Sequence, residues 1–145
     1  MKIAWKKLTV SAKMPERGSV WAAGYDLFAD LTENCVLEPH ETHMIGTGIA
    51  VAIPEGYFGG IFARSGLSAK EGLRPANCTG VVDADYRGEI KVALHNDSEE
   101  RRVVQPGQKI AQMVVMPFLS VEFEEVTELD ETERGKGGFG STGKM

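Results

Sequence analysis

Gly80-Val81-Val82-Asp83-Ala84-Asp85-Tyr86-Arg87-Gly88-Glu89 runs from an apolar pair through two carboxylates and a tyrosine to a closing glycine. Val81 and Val82 read as the end of a buried strand, Gly88 as the residue that permits a tight reversal, and Ile90 to Leu94 as a departing strand. Asp83, Asp85 and Tyr86 are thereby expected on or beside a hairpin. Two readings stay open for these ten positions. Asp and Gly are ordinary turn residues, and a turn-edge carboxylate is usually solvated; carboxylates grouped beside a strand end can equally form a reactive site.

Outward from this stretch, further strand-like segments recur at short spacing: Ile3 to Lys7, Tyr25 to Ala29, Cys35 to Leu37, His43 to Ile45, Ile49 to Ile53, Tyr57 to Phe62, Ile90 to Asn96, Lys109 to Phe118 and Val121 to Glu125. Turn formers separate them, among them Pro54-Glu55-Gly56, Asn96-Asp97-Ser98 and Pro106-Gly107. The pattern predicts an all-β sandwich or barrel. Ser65 to Glu71 alone has a helical pattern, stopped by Gly72 and Pro75. No internal repeat and no dividing linker is visible.

The 145 residues are one domain's worth of chain, with 42% hydrophobic and 26% charged residues, as in an ordinary soluble globular protein. Apolar runs fall short of a membrane span, and the lysines at positions 2, 6 and 7 precede no apolar leader core. The expectation is a cytoplasmic protein with no membrane partner. A net charge of −5 argues against a nucleic-acid binder, which needs a basic face for phosphates. Cys35 and Cys78 have no CxxC spacing and no neighbouring His pair, so both are expected to be reduced and structural.

Beyond Glu125 the chain turns acidic and then ends in Arg134-Gly135-Lys136-Gly137-Gly138-Phe139-Gly140-Ser141-Thr142-Gly143. One reading is a mobile tail. The other is an anion grip, since glycines let backbone N–H groups turn toward a phosphate while Arg134, Ser141 and Thr142 add donors. Gly135-x-Gly137-x-x-Gly140 matches a dinucleotide fingerprint only literally, because no strand precedes it and no helix follows. The same context excludes a Walker A loop, whose lysine position holds Ser141. Phe139 is free to stack on a planar ring.

Arg64-Ser65-Gly66-Leu67-Ser68 follows a strand and opens the helix, so its backbone N–H groups and hydroxyl can converge on an anion; Ser65 can equally be a plain N-cap. Ala22-Ala23-Gly24-Tyr25-Asp26-Leu27 places Asp26 where small residues give way to a strand. Gly107-Gln108-Lys109-Ile110-Ala111-Gln112 places a polar Gln112 in an otherwise apolar run.

In this order, these segments resemble the motifs of the trimeric deoxyuridine triphosphate nucleotidohydrolases, the dUTPases. The third, GVVDADYRGE, and the fifth, RGKGGFGSTG, are the most specific, and the motifs reach from position 22 to 143. The resemblance implies a jelly-roll-type β-barrel at 1–126 and a flexible glycine-rich arm at 127–145. It also implies a homotrimer whose sites each draw on all three chains, with the arm closing over a neighbour's pocket. It assigns Asp83 as the base that activates water against the α-phosphorus of dUTP, giving dUMP and pyrophosphate. Tyr86 would lie under the deoxyribose and refuse a 2'-hydroxyl, while Asn77 with Val81, Val82 and Lys91 would read the uracil edge. Arg64, Ser65, Gly66, Gln112, Arg134, Gly140, Ser141 and Thr142 are implied phosphate-side contacts, and Phe139 would stack on the base. Mg²⁺ is the implied cofactor, held mainly by the phosphates and water, with Asp26 acting through a water or by orienting a neighbour. Gln108 and Lys109 depart from the acidic and arginine residues common there.

Two alternatives remain in view. A dCTP deaminase is similar to dUTPases in fold and trimer but needs a proton-shuttling Glu on the strand leaving the third motif. That position falls at Ala93, which cannot transfer protons. A noncatalytic nucleotide-sensing or interaction protein would have no need to keep Asp83, Tyr86, Arg134 and Phe139 together.

Overall fold

The computed structural model describes residues 1–139. Its strands are β1 (Ala4–Lys7), β2 (Glu16–Arg17), β3 (Tyr25–Phe28), β4 (Cys35–Leu37), β5 (Thr42–Gly46), β6 (Ile49–Ala52), β7 (Tyr57–Phe62), β8 (Leu73–Pro75), β9 (Gly80–Val82), β10 (Lys91–Asn96), β11 (Arg102–Val104) and β12 (Lys109–Pro117). The helix α1 spans Ser65–Glu71, the range the sequence pattern gives, and stops at Gly72 in the left-handed region. The protein is therefore mostly β with one short helix. No described helix is long and apolar enough to cross a membrane.

The strands form a five-stranded sheet in the order β2-β3-β12-β7-β9, a three-stranded sheet β5-β10-β8, and the pairs β1-β6 and β11-β4. All pairings are antiparallel. β12 lies at the centre of the largest sheet because Ile110, Ala111 and Met113 are apolar and buried while β3 and β7 cover its two edges. One continuous apolar core joins Leu27, Ile45, Ile61, Val92, Leu94 and Ile110 from both larger sheets. The core is what holds the two sheets together, since they share no ladder.

Two sequence expectations change. β9 pairs with β7, whereas β10 pairs with β5 and β8, so Gly80–Asn96 is a crossing between sheets and not a hairpin. Its reversal is at Ala84-Asp85, where the Tyr86 N–H donates to the Asp83 carbonyl at 3.2 Å. Gly88 serves close approach instead: a Cβ there would stand 2.6 Å from Tyr86 Cζ. Val121 to Glu125 is not a strand. Its alternating pattern is real, but Val121 and Phe123 face solvent at 61% and 97% exposure and no described strand pairs with them.

β2, β8 and β11 were hidden from pattern reading because two or three residues show no period, and β8 contains the Pro75 that reads as a breaker. Regular structure ends at Pro117 among the described residues. Cys35 and Cys78 are both free thiols, the first half-buried and the second exposed. Burial pushes the Cys35 thiol up, and the Glu41 carboxylate adds to this.

Candidate active site

Val82 ends β9 buried, and the chain leaves the sheet with Asp83 exposed beside it. The turn that follows is braced by Arg87, whose Nη1 donates to the carbonyls of Ala84 at 2.6 Å and Tyr86 at 3.0 Å. The Tyr86 ring folds back over Gly88, and its Oη donates to the Glu89 carbonyl at 2.9 Å. Glu89 is held in turn, with Oε1 accepting from the Gly48 N–H at 3.0 Å. The tyrosine is thus a fixed wall, although nearly half of it is exposed.

Besides a concavity of about 700 Å³ lined by Asp83, Ala84, Asp85, Arg87 and Phe118, among others, two that share lining residues open on this crossing. One, of about 150 Å³, is lined by Met44, Asn77, Val81, Val82, Lys91 and Ala93, among others. The next, of about 260 Å³, shares Met44, Val81, Val82 and Lys91 and adds Asp83, Tyr86 and Glu89. A small slot of mixed polarity therefore adjoins a wider one walled by a carboxylate and an aromatic ring. That sequence of surfaces suits a planar ring followed by a polar sugar. Ala93 lies in the wall of the slot and offers no proton to a bound ring.

A separate concavity of about 250 Å³ is lined by Gly18, Ala22, Gly24, Asp26, Arg64, Ser65, Gly66 and Gln112. β12 is its scaffold, since Gln112 faces Asp26 of β3 on one side and Phe62 of β7 on the other. Gln112 Nε2 donates to the Ala63 carbonyl at 2.9 Å, which fixes the chain just before Arg64. Gly24 makes room for the Gln112 side chain, which any Cβ there would overlap. Asp26 is buried and both its oxygens are taken: Arg64 Nε donates to Oδ1 at 2.8 Å and Lys109 Nζ to Oδ2 at 2.7 Å. Arg64 itself is the residue that precedes α1, and the helix has no side-chain cap. Ser65 is therefore not the N-cap, and its exposed hydroxyl makes no hydrogen bond among the described residues. The result is a cradle of cation, hydroxyl and first-turn N–H groups, the donor types that an anion takes.

The slot and the anion cradle share no lining residue. Arg134 and Phe139 line neither; Arg134 Nε is closed onto the Gly137 carbonyl at 2.8 Å, and Phe139 is fully exposed. Gly140, Ser141 and Thr142 lie outside the described residues.

The dUTPase family profile matches residues 10–143. The chain belongs to the dUTPase family. Deoxyuridine 5'-triphosphate nucleotidohydrolase of Hydrogenobaculum sp. (strain Y04AAS1) is 46% identical over 143 residues, covering 99% of both chains. The Staphylococcus bacteriophage 80alpha dUTPase, solved with dUPNHPP, superposes with a TM-score of 0.85 at 36% identity over 98% of each chain. A mutant dUTPase from phage phi11 of S. aureus, in which coordination of a structural Mg(II) ion was seen, gives a TM-score of 0.81 at 31% identity, covering 90% of this chain and all of that one.

For a dUTPase, the roles of several residues that line or brace these concavities were not legible in the sequence. Lys109 neutralises Asp26, reached through a register shift between Lys109 and Ala111 that no local pattern announces. Met44 roofs both concavities of the crossing from β5, a contact set by the β5–β10 ladder and invisible in the sequence order. Gly24 was visible as part of its motif, but its purpose, room for Gln112, was not.

Proposed function

We propose that this chain is a dUTP diphosphatase that converts dUTP to dUMP and pyrophosphate. The observation that carries the reading is the pairing of Asp83 with a pinned Tyr86 at the mouth of a uracil-sized slot. Asn77, the Val81-Val82 backbone and Lys91 bind the uracil edge, and the walls of the slot discriminate against a 5-methyl group. Tyr86 packs under the deoxyribose. Asp83 accepts the 3'-hydroxyl and takes a proton from the water that attacks the α-phosphorus, and pyrophosphate leaves. Arg64, Ser65, Gly66 and Gln112 bind the phosphates, and Arg134, Gly140, Ser141 and Thr142 complete the grip from the arm while Phe139 stacks on the base.

The separation of the slot from the anion cradle supports a homotrimer in which the two come from different chains and the arm from another. Exposed apolar side chains along Phe118, Leu119, Val121 and Phe123 supply surface for such assembly. In this arrangement residues 1–126 form the jelly-roll-type barrel and 127–145 the closing arm. The enzyme is cytoplasmic.

Asp26 is the sole carboxylate lining the cradle, and two cations already engage it. That donor set does not fit a Mg²⁺ held directly by the protein. It fits an ion carried on the triphosphate, where Mg²⁺ neutralises phosphate charge. Asp26 then orients Arg64 and meets the ion at most through a water.

The test is Asp83→Asn. Turnover should fall by roughly a thousandfold or more, as for loss of a general base, while equilibrium titration shows dUTP still binding. An active Asp83→Asn enzyme would remove the assigned base.

A further inference from the structure

Away from the slot and the cradle, the end of β10 carries a group of side chains that nucleotide hydrolysis does not use. His95 faces Thr42 across the β5–β10 ladder. Thr42 Oγ1 stands 2.9 Å from His95 Nδ1, so the hydroxyl oxygen can accept from Nδ1–H and leave the Nε2 lone pair free. Asp97 comes two residues later and has its Oδ2 against Arg74 Nε at 3.3 Å, with Oδ1 3.8 Å from His95 Nε2. His40 arrives from the turn between β4 and β5. One donor atom each of His40, His95 and Asp97 all lie within 4.8 Å of one another. Glu99 Oε1 is 2.9 Å from His40 Nε2 and adds a second carboxylate at the rim.

The frame under these side chains is rigid. The His40 N–H donates to the Asn96 carbonyl at 2.8 Å, the Asn96 N–H to the Glu41 carbonyl at 2.9 Å, and the Asp97 N–H to the Gly72 carbonyl at 2.8 Å. Asn96 is fully buried, and its Nδ2 donates to the carbonyls of Leu37, Glu38 and Glu100. His40 holds φ at 64°, a conformation few side-chain-bearing residues adopt. The backbone that delivers the donors is thus fixed, while the His40, Asp97 and Glu99 side chains are exposed and held only by surface pairs, His40 with Glu99 and Asp97 with Arg74, which are weak in water.

We propose that His40, His95 and Asp97, with Glu99 or a water as fourth ligand, bind a divalent transition ion, Zn²⁺ foremost. Donor atoms on a tetrahedral zinc stand about 3.3 Å apart, so the three need only close by side-chain rotation. Two imidazoles select zinc, cobalt or nickel over the hard, oxygen-seeking Mg²⁺. The site is therefore chemically distinct from any Mg²⁺ that travels with nucleotide. Bound there, the ion ties the β4–β5 turn to the turn after β10.

The experiment uses the full-length, metal-free protein without nucleotide. Zn²⁺ is titrated by calorimetry, and Co²⁺ is followed by the visible absorption of a tetrahedral site. One ion per chain is expected at micromolar concentration, undisturbed by millimolar Mg²⁺, with a rise in Tm on zinc addition. His40→Asn, which tolerates the left-handed backbone, and His95→Gln should each weaken binding by roughly tenfold or more. The competing thiol–imidazole pair, Cys35 Sγ 3.4 Å from His43 Nδ1, is controlled by Cys35→Ser. Unchanged zinc affinity in both histidine variants, loss only in Cys35→Ser, or no saturable binding below millimolar would each overturn the proposal.

Discussion

Tyr86 and Gly88 act as one unit. The ring occupies the space that a Cβ at position 88 would fill, and the Oη bond to the Glu89 carbonyl keeps it there. A sugar placed against such a wall meets a surface that cannot yield, which is what discrimination against one added hydroxyl requires. Replacing Tyr86 by Ala removes the wall without touching Asp83. Steady-state comparison should show the ratio of kcat/KM for dUTP over UTP falling by about tenfold or more, and an unchanged ratio would remove the steric role of the ring. Asp26 teaches a related lesson about position. The motif resemblance gave it only an indirect part in metal binding, through a water or by orienting a neighbour, and cations at 2.7 and 2.8 Å hold both of its oxygens.

Among the elements, the apolar core is supplemented by buried polar joints that apolar patterning does not reveal. Asn96 is fully buried yet satisfied on both ends, donating to three carbonyls and accepting from the Ser98 N–H and hydroxyl. Asn96→Leu would strand those groups and should cost about 3 kcal/mol or more, read from urea unfolding as a lower midpoint with an unchanged m-value. An unshifted midpoint would mean that the joint is replaceable. The sequence alone showed Asn96 as a strand end and turn former, not as a buried joint. It did show the long strands, because Tyr57–Phe62 and Lys109–Pro117 carry enough residues for a pattern to emerge, and the helix, because Gly72 and Pro75 bound it. It misplaced the crossing at Gly80–Asn96, since consecutive strands separated by a turn look like a hairpin whether or not they pair. It also read a strand at Val121 to Glu125, where alternation is present but a partner is not. For the site, the motifs named Asp83, Tyr86, Arg64 and Gln112 directly. Lys109 and Met44 escaped because their roles arise from register, a property of paired strands.

At the scale of the whole molecule, the slot with Asp83 and the cradle with Arg64 are separate features of one chain. If a working site joins them across chains, two different defects can complement. Co-expressed Asp83→Asn and Arg64→Ala chains, each inactive alone, should then assemble mixed trimers that hydrolyse dUTP, because some sites receive an intact half from each. Mixed trimers without activity would mean that each chain must supply both halves itself. The identity of the reaction is read out by pyrophosphate release from dUTP, UTP, dCTP and dTTP under identical Mg²⁺ conditions. Release from dUTP should be rapid with dUMP as the other product, and turnover of the remaining three lower by about a hundredfold or more. Comparable turnover of UTP, or no pyrophosphate from dUTP, would contradict it.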